Sequence, residues 1–365
     1  MKRIGIDARL YFQTGIGTYL RNFLYYLDER SDLNWEIVVY LFKDDFERVR
    51  FKNKFFLKKK IFDRWHSFSE QIRFLSILNN DHLDLIHFPY FSFPFFYRRP
   101  FVCTVHDLTP LFFKTGRASA SVNLFNYYLK SFGLKILLKR QIRDSLIVFT
   151  PSKTVKNQIV YLFGKNLSSK ITVVSEGINK ELIEEKENKQ LRNIFGNDFF
   201  IYVGNYYPHK NVERLIKAFS QINCREKLIL IGPNDFFSKR LAILINNLNQ
   251  NQRIIFYHRP KPADLVFFYK NAQALIHPSL SEGFGLPLIE ATYFNCPIIA
   301  SNIPIFKEIL GKNYLSFNPY QEFDIKDKIE WFIKTHPKFD NHKIIKKYSF
   351  KRMTEKMITE YKKFI

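Results

Sequence analysis

The sequence predicts an α/β protein made of two doubly wound parallel-sheet domains. Three observations carry that expectation. The chain opens on a buried strand, a glycine loop and an amphipathic helix, Arg3–Ala8 followed by Thr14-Gly15-Ile16-Gly17 and a helix to about Asp28. From Phe199 onward, short apolar runs alternate with helical patterns, the signature of parallel strands joined by crossover helices. With 365 residues and 46% hydrophobic content, the chain has material for two cores.

Taken in order, the first half continues with a strand over Glu36–Phe42. The segment Arg48–Phe62 interleaves cations and aromatics in RFKNKFFLKKKIF. It reads either as a helix with Phe on one side and Lys on the rest, as interfacial helices have, or as a solvated surface segment with a packed stripe. Lysine and aromatic residues also serve nucleic-acid binding, but no RNP, zinc-finger or basic-zipper pattern accompanies them. Asp84–Phe88 and Phe101–His106 read as strands, the second ending in His106-Asp107. In open α/β sheets, residues just beyond a strand's carboxyl end face the ligand crevice. Asn123–Arg143 is a helical stretch, Leu146–Thr150 a strand, and Pro151-Ser152-Lys153 a helix start with Ser152 as N-cap. Ile171–Val174 is the last strand of this half. Ser175–Asn197 is rich in Glu, Lys and Asn and poor in large apolar residues, and reads as a linker.

In the second half, strands fall at Phe199–Gly204, Leu228–Gly232, Ile254–Tyr257, Ala274–Ile276 and Pro297–Ala300. Helices fall at Asn211–Phe219, Ser238–Asn249 and about Ala263–Tyr269. Phe350–Phe364 is a basic amphipathic helix. The expected domains are 1–175, a linker over 176–197, 198–345, and a terminal helix within 346–365.

The net charge of +23 is high, and Phe (40) and Tyr (20) are abundant. Such basicity fits an anionic partner, or a compositional bias with no partner at all. Cys103, Cys224 and Cys296 are odd in number and widely spaced, with no metal or redox motif, which fits a reduced cytoplasmic compartment. The opening Met1-Lys2-Arg3 run is too short and polar for a signal peptide, and no apolar run reaches about 18 residues. Any membrane contact is expected to be peripheral.

The stretch with the most chemistry is His277–Ala291, HPSLSEGFGLPLIEA. Gly283 and Gly285 permit a sharp turn and close approach to a ligand. Pro287 suits a first helical turn. The free N–H groups and the positive dipole end of that helix make a seat for phosphate. Glu282 in the loop and Glu290 one turn into the helix bracket the seat. In Tyr202–Asn211, YVGNYYPHKN, Lys210 lies at the mouth of a strand–turn–helix, where a lysine can reach a diphosphate. A phosphate held by backbone, with acids on both flanks to accept hydroxyl hydrogen bonds, suits a nucleotide sugar.

These strings resemble one family. EGFGLPLIE is similar to the E-x7-E motif of retaining GT-B glycosyltransferases, in particular glycosyltransferase family 4. IGIDARLYFQTGIGTYLRNFLYYL resembles the family's N-terminus, VHDLTP its strand-end histidine, and YVGNYYPHKN its pyrophosphate lysine. The resemblance runs from Arg3 to about Gly311. It implies two Rossmann-like domains facing across a cleft, a terminal helix crossing back to the first, and sugar transfer with retention from a nucleotide-diphosphate donor. It also implies roles. Lys210 and the N–H groups near Gly285 and Leu286 would stabilise the departing diphosphate, with Gly283 and Phe284 in the same loop. Glu282 would bind sugar hydroxyls, Glu290 the ribose, and His106 the sugar, while Gly15 and Gly17 let the first domain's loop approach phosphate and acceptor. Where many members carry a second cation after the glycine, this chain has Asn205, so Lys210 would bear more of the charge, with help from His209 if protonated. Where a glycine usually lies near the base pocket, it has Tyr257-His258-Arg259. No D-x-D and no metal-ligand spacing occur, so a metal-independent enzyme with no cofactor is expected. The similarity to bacterial mannosyltransferases points to GDP-mannose as donor and a saccharide or lipid-linked saccharide as acceptor in surface polysaccharide synthesis. Peripheral contact with an anionic membrane is expected, and no nucleic acid. A nucleotide-sugar 2-epimerase of the same fold and a non-catalytic basic binding protein remain alternatives at the level of sequence.

Overall fold

The computed structural model describes residues 1–113 and 124–365. The chain divides into two compact units. The first comprises Met1–Leu108, the described part of Asn123–Gly177, and Ser349–Ile365; the second comprises Ile178–Tyr348 with the short segment beginning at Thr109.

The first unit is built on seven parallel strands. These are β1 (Lys2–Asp7), β2 (Trp35–Phe42), β3 (Phe56–Ile61), β4 (Leu85–Phe88), β5 (Phe101–Thr104), β6 (Val148–Thr150) and β7 (Ile171–Val173), in the order β3-β2-β1-β4-β5-β6-β7. Ile4 pairs with Ile37 on one side and Leu85 on the other, so the chain reverses its direction of build at β1. The helix Ile16–Asp28 buries Tyr19, Leu20, Phe23, Leu24 and Leu27, an apolar stripe at helical spacing. The helix Phe350–Tyr361, capped by Ser349, packs on it through Met353, Met357 and Tyr361. Tyr361 Oη and the buried His87 Nδ1 share a hydrogen bond of 2.8 Å, and Tyr19 Oη donates to Met357 Sδ at 3.4 Å. Gly177 makes this packing possible, since a Cβ there would lie 2.5 Å from the Ser349 and Phe350 backbone.

The second unit has six parallel strands: β8 (Phe199–Val203), β9 (Lys227–Gly232), β10 (Ile254–His258), β11 (Leu275–His277), β12 (Ile298–Ser301) and β13 (Leu315–Phe317). Their order is β10-β9-β8-β11-β12-β13. Alternate residues of β8 feed opposite cores: Phe199, Ile201 and Val203 one, Phe200 and Tyr202 the other. Burial on both faces explains why these strands are continuous apolar runs. The strand order switches between β8 and β11, which are hydrogen-bonded neighbours. The loops leaving their carboxyl ends are 204–211 and 278–285. Doubly wound sheets bind ligands at such a switch point.

The structure departs from the sequence reading in several places. Arg48–Phe62 holds no helix; its second part is β3, the edge strand, paired in parallel from Ile37↔Phe56 to Phe42↔Ile61. The strand's lysines have local partners. Lys58 Nζ donates to the Phe46 and Val49 carbonyls at 2.7 and 2.9 Å, Lys59 pairs with Asp81, and Lys60 lies 3.4 Å from Glu47. Lysines on an edge strand also block pairing with another sheet. The stretch read as a linker carries short helices at Lys180–Glu184 and Leu191–Phe195, and Ile178, Leu182 and Leu191 enter the second unit's core. Beyond Pro297–Ala300 the structure adds β13 and helices at Pro304–Leu310, Glu322–Thr335 and His342–Lys347. The long helix described from Leu124 ends at Asp144, and Asn123 lies outside the described residues. His106 sits two residues past β5 rather than on it.

Candidate active site

The switch point of the second unit gathers the residues with the most chemistry. After β8 the chain makes a single 3-10 turn, Pro208–Lys210, and Asn211 then enters the left-handed region at φ 59°. Asn211 Nδ2 donates to the Pro278 carbonyl at 3.1 Å and to the Pro319 carbonyl at 2.8 Å, and the Leu280 N–H donates to the His209 carbonyl at 2.8 Å. The bonds to Pro278 and from Leu280 fasten the turn to the loop that follows β11, and the bond to Pro319 ties it to the segment after β13. Lys210 is thereby held against Glu282.

Three donors converge on one oxygen of Glu282. Lys210 Nζ lies 2.6 Å from Oε1, Ser279 Oγ 2.7 Å and His277 Nε2 3.1 Å. Burial by itself would raise the Glu282 pKa. The Lys210 ammonium and the His277 hydrogen bond outweigh it and hold the carboxyl well below its usual range. His277 is 1% exposed, and burial lowers its pKa despite Glu282, so the neutral ring donates an Nε2–H hydrogen bond to the carboxylate. Beyond the loop, Gly285 takes φ +97° and opens the helix Leu286–Tyr293, with Pro287 in its first turn. A Cβ on Gly285 would meet Leu288 and Phe306 at 3.3 Å. Phe284 is buried edge-on against Tyr348, with ring centroids 5.4 Å apart. Gly283 joins Glu282 to this pair.

Glu290, further along the helix, has a different environment. It is 8% exposed, and its Oε2 accepts from Tyr269 Oη at 2.7 Å. Burial pushes its pKa up to about 7, and the Tyr269 bond only partly opposes this. The two motif carboxylates are thus shifted in opposite senses, Glu282 downward by its cationic and hydrogen-bonding neighbours and Glu290 upward by burial. Asn205 spends its side chain on its own turn, accepting from the Tyr207 N–H at 3.3 Å.

The remaining sequence-selected residues belong to the first unit. Gly15 takes φ +70° at the start of the helix Ile16–Asp28, and a Cβ there would have nothing within 4 Å. Gly17 is needed for packing, because a Cβ would lie 2.6 Å from the Tyr11 carbonyl oxygen. His106 has both ring nitrogens engaged: Nε2 with the Pro89 carbonyl and Nδ1 with Glu176 Oε1, each at 3.0 Å. The Pro89 carbonyl and the Glu176 carboxyl thus fix the orientation of the ring. Tyr19 stands edge-on to the ring at 4.6 Å.

Comparison with known proteins gives the family and the fold. The family description "Glycosyl transferases group 1" matches residues 183–352, and "Glycosyltransferase Family 4" matches residues 14–182. The O-antigen chain mannosyltransferase RfbU of Salmonella typhimurium is 30% identical over 267 residues, 71% of this chain and 72% of that protein. The chain belongs to glycosyltransferase family 4. O-antigen chain mannosyltransferase B of Escherichia coli is 25% identical over 194 residues, 50% of this chain and 51% of its own. Among solved structures, sucrose-phosphate synthase from Thermosynechococcus elongatus superposes with a TM-score of 0.80 at 16% identity, covering 100% of this chain and 99% of that one. Anabaena HepE in complex with UDP and glucose gives 0.77 at 16% identity, covering 100% of both. These likenesses show the fold, and with the two doubly wound units they make this glycosyltransferase one of the GT-B class.

Within the glycosyltransferase, sequence reasoning passes over His277, Ser279, Asn211, Tyr269 and Glu176. Three of these five, His277, Ser279 and Asn211, lie inside the strings already singled out, and that membership is their own signal, whereas Tyr269 lies in the helix Pro262–Asn271. Glu176 has no such signal; it meets His106 across a separation of 70 residues. Among the described residues no group of His, Cys, Asp and Glu is arranged to hold a metal ion, and no helix is long and apolar enough to cross a membrane.

Proposed function

We propose that this glycosyltransferase transfers mannose from GDP-mannose, with retention and without a metal, to a saccharide or lipid-linked saccharide in surface polysaccharide synthesis. The observation that carries the reading is the Lys210–Glu282 pair, fixed where β8 and β11 meet the helix start at Gly285. The mannosyltransferase names of the two relatives support the choice of sugar.

In this reading the donor diphosphate docks at the helix start beside Leu286, and Lys210 turns from Glu282 to its oxygens. The bond from the sugar C1 to the diphosphate breaks, and its electron pair leaves on the phosphate oxygen. Lys210 and the helix N–H groups stabilise that charge in a site screened from water. The acceptor hydroxyl bonds to C1 on the same face, and its proton passes to the departing phosphate. Glu282, released by Lys210 and still held by Ser279 and His277, accepts from sugar hydroxyls. Glu290 accepts from the ribose when ionised. In the first unit, the ring of His106, the residue proposed to contact sugar, is set by Glu176 and Pro89. The protein acts in the cytoplasm at an anionic membrane face, with attraction supplied by its net charge of +23.

The test is transfer from GDP-, UDP- and ADP-sugars in the presence of a chelator, with product anomer read by NMR. Retained mannosyl product from GDP-mannose alone supports the reading. Loss of activity with chelator removes metal independence, inverted product removes retention, and preference for another nucleotide sugar removes the donor. Donor consumption without acceptor, giving an epimer, would replace transfer by epimerisation.

A further inference from the structure

The turn that presents Lys210 to Glu282 also walls a separate cavity in the second unit, of about 350 Å³. It lies where Tyr206–Asn211 meets the helices Val212–Ser220 and Phe236–Asn247 and the first residue of Glu322–Thr335. Lys210 and Glu282 are not part of its lining. Small-molecule sites commonly run from roughly 300 to 1,000 Å³, so this one has room for a small ligand.

Its lining combines three kinds of group. Tyr207 and Phe237 form an aromatic corner, edge to face, with centroids 5.3 Å apart. Arg214 is a fixed donor: its guanidinium gives hydrogen bonds to Asn211 Oδ1 at 2.7 Å and the Pro319 carbonyl at 2.8 Å. Arg240 is a second donor and has no hydrogen bond or ion pair among the described residues. Glu213 and Glu322 supply acceptors, steadied by Lys217 and Gln221.

That mixture selects among ligand classes. A bare anion would be served by the arginines but repelled by two carboxylates. An apolar ligand would cover five charged side chains, Lys217 among them, and satisfy none. A sugar ring uses every part: its hydroxyls both give and accept hydrogen bonds, and its C–H face lies against an aromatic side chain. The geometry points to a second saccharide site, separate from the Lys210–Glu282 site, which holds one or two sugar units of a glycan chain. Its use as an anchor for the acceptor chain rests on the function proposed above; the sugar chemistry of the pocket does not.

The test uses the full chain, with saturation-transfer NMR and calorimetry against methyl glycosides and disaccharides of mannose, galactose, glucose and rhamnose, and inorganic phosphate as the anion probe. At least one saccharide should bind, and Arg240→Gln and Glu322→Gln should each weaken it about tenfold or more. Both variants should keep the wild-type melting curve and GDP affinity. Lys210→Ala should lose GDP affinity and keep the saccharide. The site is overturned if no saccharide in the panel binds, if both pocket variants bind as wild type does, or if inorganic phosphate displaces the sugar at equal concentration. Saccharide binding without any GDP binding in the wild type would count against the donor reading and leave this one standing.

Discussion

Removing the Lys210 ammonium tests stability and chemistry at once. The ammonium lies 2.6 Å from Glu282, with side-chain exposures of 15% and 11%. Breaking a fully buried pair by deleting one partner costs about 3–5 kcal/mol. The residual exposure here discounts that to about 2–3 kcal/mol for either Lys210→Ala or Glu282→Gln. The double variant leaves neither charge stranded, so its loss should fall short of the sum by about 1–2 kcal/mol. Activity should behave differently. If Lys210 stabilises the departing diphosphate, Lys210→Ala lowers kcat/KM by about 10²–10³-fold, and the double variant recovers none of it. The measurement is a set of urea melts on four proteins beside kcat/KM with the nucleotide-sugar donor. Additive stability losses would show that the two charges do not interact, and wild-type kcat/KM in Lys210→Ala would remove the residue from the chemistry.

The same pair sets an acid limb. Burial favours the neutral Glu282, but Lys210 and His277 prevail, and the folded-state pKa lies below the ordinary 4.5. The stability gained is full above pH 4.5 and is lost as pH falls toward the depressed value. Lys210→Ala should shrink that limb, because the carboxyl then titrates closer to its unfolded value.

Other outcomes follow from the geometry. For Glu290, burial raises the pKa to about 7, so its contribution to stability is full below 4.5 and lost as pH rises through about 7. Glu290→Gln should flatten the decline in melting temperature over that window, and a pH series of melts checks it. Gly17→Ala forces a methyl to 2.6 Å from the Tyr11 carbonyl oxygen and should cost about 1–3 kcal/mol in urea melts. Asn211→Ala loses two bonds to carbonyls and puts alanine at φ 59°, so donor KM should rise while the loss of stability stays at about 1–3 kcal/mol.

The elements legible in the sequence are those whose burial leaves a pattern. β8, β9 and β11 are covered on both faces and therefore read as apolar runs. β3 is hidden because three successive lysines look like a solvated surface. Their ammonium groups are met by the Phe46 and Val49 carbonyls, Asp81 and Glu47, none of which a local pattern identifies. β13 is interrupted by the exposed Ser316, so it leaves no continuous apolar run to read. The stretch 178–197 looks like a linker because its polar residues outnumber the few, Leu182 and Leu191 among them, that enter the core. At the site, sequence nominates Lys210 and Glu282 but does not reveal their contact across 72 residues.

That contact depends on strand order. β8 and β11 are neighbours although β9 and β10 intervene in sequence, so the loops that leave them are neighbours too. Asn211 then fixes one loop on the other, which places the ammonium before any ligand arrives. If the donor diphosphate docks as proposed, it must compete with Glu282 for Lys210, so donor affinity would reflect an exchange of partners rather than capture of a free cation. The exchange also frees the Glu282 oxygen on which the lysine had rested. In the proposed reading a donor carrying both diphosphate and sugar hydroxyls satisfies the two groups together, whereas free diphosphate satisfies Lys210 and leaves the Glu282 carboxylate with Ser279 and His277 alone. The paired site therefore favours the intact nucleotide sugar over either half alone, and this preference is built from one ion pair at one switch point.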